Sequence, residues 1–126
     1  MSDMNNNQTL EIDLSYLSEI ACGSVDFMID MIDIFQEQTP QYMEELLQAA
    51  RNKEWKTVGE VAHKIKPTLA FMGANTAKDI MGEIEKNGKN ATGVETIENE
   101  ILAVGEVCEM LYLRLVQIRA ELEAQL

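Results

Sequence analysis

The sequence predicts an all-α fold, an antiparallel four-helix bundle with a short extra helix at its N-terminal side. Three observations carry that prediction. Apolar residues recur at alternating steps of three and four in four long segments, which is the spacing of one helix face. No segment alternates polar and apolar residues as a half-buried strand does. Only two prolines and seven glycines interrupt 126 residues, and the apolar set is dominated by Leu, Ile, Val and Met, with few aromatics. A chain of this length suits one compact domain.

Residues 1–11 are polar and Asn-rich and are expected to form a disordered tail, leaving 12–126 as the single domain. From Ile12 to Ala21 a short amphipathic helix is expected, with Ile12, Tyr16, Leu17 and Ile20 on one side and Asp13 or Ser15 as its cap. Gly23 stops it, and Ser24 is placed to cap the next helix. That helix is expected from Val25 to Ala50, with Met28, Met31, Ile32, Phe35, Tyr42, Leu46 and Ala49 inward. Pro40 removes a backbone donor within it and should kink it. Arg51, Asn52 and Lys53 form a turn. The third helix is expected from Glu54 to Met72, with Trp55, Val58, Ala62, Ile65, Leu69 and Met72 as its buried stripe and Gly73 at its end. A fourth, from Asn75 to Asn87, turns Ala77, Ile80, Met81 and Ile84 inward. The polar stretch Lys86 to Gly93 reads as a loop. The last helix, Val94 to Leu122, keeps its alternation through Ile97, Ile101, Val104, Cys108, Leu111, Leu115, Ile118 and Leu122. Short connections between long amphipathic helices favour an antiparallel bundle.

Net charge is −12. That argues against nucleic acid, whose phosphates need clustered Lys and Arg, and equally against an anionic membrane surface. No segment supplies the ~18 apolar residues of a membrane helix, and the N-terminus has no signal-peptide pattern. A cytoplasmic, free-standing chain is expected. Cys22 and Cys108 stand far apart with no zinc or redox spacing, so both read as reduced, buried residues. The charge is unevenly placed. Residues 1–50 hold ten acidic side chains and no basic one, while 51–66 hold Arg51, Lys53, Lys56, Lys64 and Lys66 against Glu54 and Glu60. A local positive field attracts an anionic site on a partner.

That basic window ends around His63, the chain's single histidine. Imidazole titrates in the working pH range and its neutral nitrogen is a nucleophile. On a helix His63 lies about 100° from the buried position Ala62, on the flank of the core. Its face carries Gly59, Glu60, Lys66, Pro67 and Ala70. Small neighbours leave the ring reachable by another protein, and Lys66 can donate to a phosphoryl oxygen. One histidine is too few for a catalytic zinc, no metal site or nucleophilic triad can be assembled, and no Gly-rich phosphate loop follows a strand.

The run Ala62-His63-Lys64-Ile65-Lys66-Pro67-Thr68, continuing to Gly73-Ala74, resembles the signature Ala-His-x-Leu-Lys-Gly-Ser of the histidine-containing phosphotransfer (HPt) domain family. Leu14 to Leu17, Gly23, Phe27, Met31, Phe35 and Thr39-Pro40 resemble the family's first helices. The likeness covers about residues 12–90, and the last helix agrees by pattern only. The resemblance implies a four-helix bundle with the phosphorylated histidine midway along its second long helix. It implies a phosphoryl carrier of a two-component phosphorelay rather than an enzyme. His63 would accept the group on Nε2 from a receiver-domain aspartate and pass it to another receiver, with Lys66 offsetting its charge. No cofactor is implied for this chain, because the receiver brings the Mg²⁺ and most of the catalysis. The partners implied are response-regulator receiver domains and a hybrid sensor histidine kinase, met by a monomer. Gly59, Lys64, Pro67, Ala70 and Phe71 would form the docking surface, extended by Ile12 and Met28. Pro67 replaces the family's frequent Gly and should bend or loosen the helix, because the His63 carbonyl loses its partner N–H. Some members place Gln near the ring from the next helix. The aligned position here is Glu85, whose carboxylate can hold the imidazole N–H and would repel a phosphoryl group. A second reading is a helical adaptor that binds receiver or kinase domains without being phosphorylated.

Overall fold

A computed structural model of the chain describes residues 10–126. Among the described residues there are five α-helices: α1 (Ser15–Ile20), α2 (Val25–Arg51), α3 (Trp55–Phe71), α4 (Asn75–Asn90) and α5 (Ile97–Glu123). A single 3₁₀ turn, Val94–Thr96, leads into α5, and there is no strand among the described residues. Helices α2 to α5 form a ring of neighbours in which α3 touches α2 and α4, and α5 touches α2 and α4.

Side-chain pairings fix the directions. Across α2 and α5, Asp33 meets Arg119, Gln36 meets the Tyr112 carbonyl and Arg51 meets Glu98. Across α3 and α4, Gly59 lies against Lys89, His63 against Glu85 and Lys66 over Gly82. Numbers rise on one helix as they fall on the other, so both pairs are antiparallel. The core between them is aliphatic and continuous, with Ile32, Phe35, Leu46, Val58, Ile65, Leu69, Met81, Ile84, Ile101 and Leu111 among its buried members. Apolar burial of this kind, worth roughly 1.5–3 kcal/mol per large side chain, is what holds helices that would be marginal alone.

The expected architecture is therefore the observed one, with local differences that have physical causes. In α1 the buried residue is Leu17, while Tyr16 and Ile20 face outward. Tyr16 instead stacks on Phe71 with centroids 5.8 Å apart. The Ser24 hydroxyl caps α2 by accepting the Phe27 N–H at 3.2 Å, whereas the cap position of α1 is Leu14, which makes no side-chain cap bond; the Asp13 carboxylate one residue earlier accepts the Ser15 N–H at 2.9 Å. In α2 the inward residue on the third turn from the end is Met43, with Tyr42 on the rim. Helix α4 continues to Asn90, through the stretch read as loop, because Gly88 is the residue that admits the backbone of α3. Cys108 is buried, but Cys22 is exposed in the turn after α1.

The expected disordered tail lies outside the described residues over 1–9. Its last two residues are placed: Leu10 packs against the core, and Glu11 accepts the Thr76 N–H at 2.7 Å. The segment then runs along the α3–α4 turn, where the Asp13 N–H donates to the Met72 carbonyl at 3.0 Å. Gly73 makes this contact possible. Its φ is +70°, and a Cβ there would collide with the Asp13 backbone.

Both prolines lie inside helices that stay α-helical across them. At Pro67 the buried stripe on either side, Ala62, Ile65 and Leu69, holds α3 in place, and the Thr68 hydroxyl donates to the Ile65 carbonyl at 2.6 Å. Pro67 itself is exposed. Pro67→Ala restores a donor to the His63 carbonyl without touching the core. It is expected to raise stability by about 1–3 kcal/mol, read as a higher urea midpoint at unchanged slope.

Candidate functional site

His63 sits midway along α3 with its side chain 68% exposed. One ring nitrogen is engaged: Nδ1 lies 2.7 Å from Oε2 of Glu85 on α4. Glu85 is the one buried charged residue among those described, with 8% of its surface exposed. A buried carboxylate needs partners. Beside His63 it has two ammonium groups. Lys89 Nζ donates to Oε2 at 2.9 Å, and Lys66 Nζ lies 3.1 Å from Oε1, an ion pair whose angle stops short of a hydrogen bond.

The charge state of Glu85 follows. Burial pushes its pKa up, but the contacts from Lys89, Lys66 and the His63 ring outweigh it and hold the carboxyl at about 2, against an ordinary 4.5. At neutral pH it is an anion, and an ionised carboxylate only accepts hydrogen bonds. The proton in the 2.7 Å contact is therefore on Nδ1, and in a neutral ring the lone pair is on Nε2, across the ring from Glu85.

A consequence for stability can be measured. A carboxyl whose pKa is lowered by folding contributes stability that is complete above the unfolded value and is lost as pH falls through the folded one. The window here runs from about 4.5 down to about 2. In Glu85→Gln the fall in thermal stability across that window should be shallower than in the parent protein. The difference is expected to be on the order of 1–2 kcal/mol, discounted because both lysines are partly exposed to solvent.

The local fold explains why these groups meet. Gly59 and Gly88 form the closest approach of α3 and α4. A Cβ on Gly88 would stand 2.9 Å from both the Gly59 nitrogen and the Trp55 carbonyl oxygen, and one on Gly59 would stand 2.7 Å from the Lys89 Cγ. Two bare backbones can therefore pack face to face one turn from His63 and Glu85. The stem of Lys66 passes over Gly82, where an added Cβ would make an ordinary 3.6 Å contact with its Cδ. Gly59 is buried by this contact. Its small size serves the helix crossing, and it does not belong to an open docking face as the sequence suggested.

The other expected docking residues lie at the surface on both sides of the ring. Lys64 is exposed, with its ammonium 5.7 Å from the centre of the Tyr42 ring on α2. Pro67 is exposed, and Ala70 and Phe71 are half-buried, along the same face of α3. Beside them a shallow apolar groove opens between α2 and α3, lined by Met31, Ile34, Gln38, Thr68 and Phe71. On the opposite flank a polar cleft between α3 and α4 is lined by Lys66, Lys86, Lys89 and Glu85. Met28 is buried and Ile12 half-buried, so Met28 does not extend this surface. No cluster of three or more metal-ligating side chains occurs among the described residues.

Lys89 was missed at the sequence level. It lay in the stretch read as loop, yet the i, i+4 spacing from Glu85 was visible and is the spacing of a helical ion pair.

The described residues thus form a helical bundle that presents one exposed histidine, backed by a carboxylate and flanked by lysines. The family model of the Hpt domain matches residues 30–125, and the chain belongs to that family. The match begins inside α2 and includes all of α5, so the last helix is part of the likeness and α1 lies outside it. Members are phosphocarrier modules of two-component relays, working with receiver domains and kinases. The curated proteins and the solved structures returned no match to the chain. No helix among the described residues is long and apolar enough to cross a membrane.

Proposed function

We propose that the protein is a histidine phosphotransfer carrier that takes a phosphoryl group on His63 Nε2 from the aspartyl phosphate of one receiver domain and delivers it to the aspartate of another. The single observation that supports this best is the short contact between His63 Nδ1 and an ionised, buried Glu85. It orients the ring and directs the nucleophilic lone pair outward, on a side chain that is mostly exposed.

The reaction balances simply. The Nε2 lone pair attacks phosphorus, the bond from phosphorus to the aspartyl oxygen breaks, and the electron pair leaves with the carboxylate. The ring keeps its proton on Nδ1, donated to the Glu85 carboxylate, throughout. Delivery is the reverse, with the second aspartate as nucleophile. Phosphoryl transfer asks mainly for positioning and charge compensation. This chain supplies the oriented ring and Lys66, one turn away. The receiver supplies its own metal ion and the in-line geometry. The apolar groove beside Phe71 and the lysines around the ring suit a partner with an apolar contact surface next to an acidic pocket, met by a monomer of this chain.

The test is incubation of the purified protein with a receiver domain carrying labelled aspartyl phosphate. Label should move to this chain, survive alkali and be lost in acid, as phosphohistidine is. A second, unlabelled receiver should then withdraw it. Stable binding to the receiver with no transfer of label would favour the unphosphorylated adaptor instead.

A further inference from the structure

We propose that Lys89 is a positioning residue for phosphotransfer: it keeps Glu85 charge-compensated, so that Lys66 can leave Glu85 for the phosphoryl oxygens on His63. The proposal rests on the carrier reading above and concerns how one site accommodates both an anionic backing group and an anionic cargo.

The contacts set the problem. Glu85 stands directly behind the ring that is to carry the phosphoryl group, and a buried carboxylate with no compensating cation would oppose a second anion there. Two ammoniums now share it. They are not equivalent. Lys89 makes a completed hydrogen bond to Oε2, the same oxygen that receives the His63 proton. Lys66 faces Oε1 without completing one, and Oε1 has no other partner. Lys66 is also the lysine on the histidine's own helix, three residues on, and so the one within reach of the ring's outer side. By its place on the histidine's own helix, Lys66 is thus the cation suited to move.

Lys89 has the complementary placement. It lies four residues after Glu85 on the same helix and approaches from the α4 side. Its stem passes through the space left by Gly59, whose missing Cβ would otherwise meet the Lys89 Cγ at 2.7 Å. When Lys66 turns outward, Lys89 remains as the cation on Glu85. The cleft holds one more lysine, Lys86, which makes no ion pair with the carboxylate. Without Lys89, either Glu85 retains Lys66 and the phosphoryl group finds no free ammonium, or Lys66 leaves and the phosphoryl group meets an uncompensated carboxylate.

The experiment uses the full chain and a receiver domain phosphorylated with labelled acetyl phosphate as donor. Transfer rates are compared for the parent, Lys89→Ala, Lys89→Arg, Glu85→Gln and the Lys89→Ala/Glu85→Gln pair, each shown by its thermal transition to be folded at the assay temperature. Lys89→Ala is expected to slow transfer about tenfold, and Lys89→Arg to restore it to within about twofold. In the Glu85→Gln background the same Lys89→Ala change should have less than a twofold effect, because there is no carboxylate left to compensate. Parent-like transfer in Lys89→Ala would overturn the proposal. So would a tenfold loss that persists in the Gln background, since Lys89 would then act on the phosphoryl group itself. Failure of the parent protein to take label would instead remove the carrier reading on which this rests.

Discussion

His63→Gln is expected to abolish transferable label completely while leaving the bundle folded. The chain has no second imidazole to take the group. The side chain is 68% exposed, so the substitution removes no core packing, and glutamine is a good helix former at a mid-helix position. The partner left behind is Glu85. Glutamine can still offer it an N–H, and Lys66 and Lys89 remain against it, so the buried charge is not stranded. Stability should therefore change by less than about 1 kcal/mol. The measurement is acid-labile label after exposure to a phosphorylated receiver, beside a thermal melt of the same sample. Acid-labile label that persists in the variant would move the acceptor away from His63.

Gly88→Leu should be strongly damaging to the α3–α4 pair. Its first added carbon alone would lie 2.9 Å from two backbone atoms of α3 and 3.0 Å from the Val58 side chain. Backbone cannot rotate aside as a flexible side chain can, so α4 must move away from α3 along the turns that hold Glu85 and Lys89. Overpacking of this kind costs about 1–3 kcal/mol, and the rigidity of the neighbours places this case at the upper end. Stabilities of single domains are only about 5–15 kcal/mol, so the change is large. The urea midpoint reads it directly. Separating the helices also lengthens the 2.7 Å contact behind His63, so labelling of whatever protein remains folded should slow. A Gly88→Leu protein with parental midpoint and labelling rate would show that α3 and α4 do not depend on this close approach.

Much of this molecule is legible in its sequence, and the parts that are not share a cause. The spacing of Val58, Ala62, Ile65 and Leu69 declares a helix with one buried face, and His63 then follows as a flank residue by angle alone. The exposed ring agrees with that reading. What escapes is whatever depends on the next helix. Gly59 and Gly88 look respectively like an opening beside the histidine and a helix breaker, because nothing in either segment states that they face each other. Glu85 is in plain view as the residue opposite the ring, yet its burial and its pairing with Lys66 are tertiary facts. Read alone it opposes a phosphoryl group. Seen with Lys66 and Lys89 it is a compensated anion. Tyr16 was misplaced for a similar reason: six residues of α1 are too few to define a face, and Phe71 on another helix decides where the ring lies.

Among the described residues the candidate site is made of side chains on two helices, α3 and α4, with no loop over it. The openness that lets a protein reach His63 admits water equally. A phosphoryl group placed there has no lid, and the docked partner must act as one. On the proposed carrier function, timing is set by encounters: a group handed over promptly is delivered, and one left waiting is spent by hydrolysis. Signal passing through such a carrier would then be limited by the abundance and dwell time of its partners.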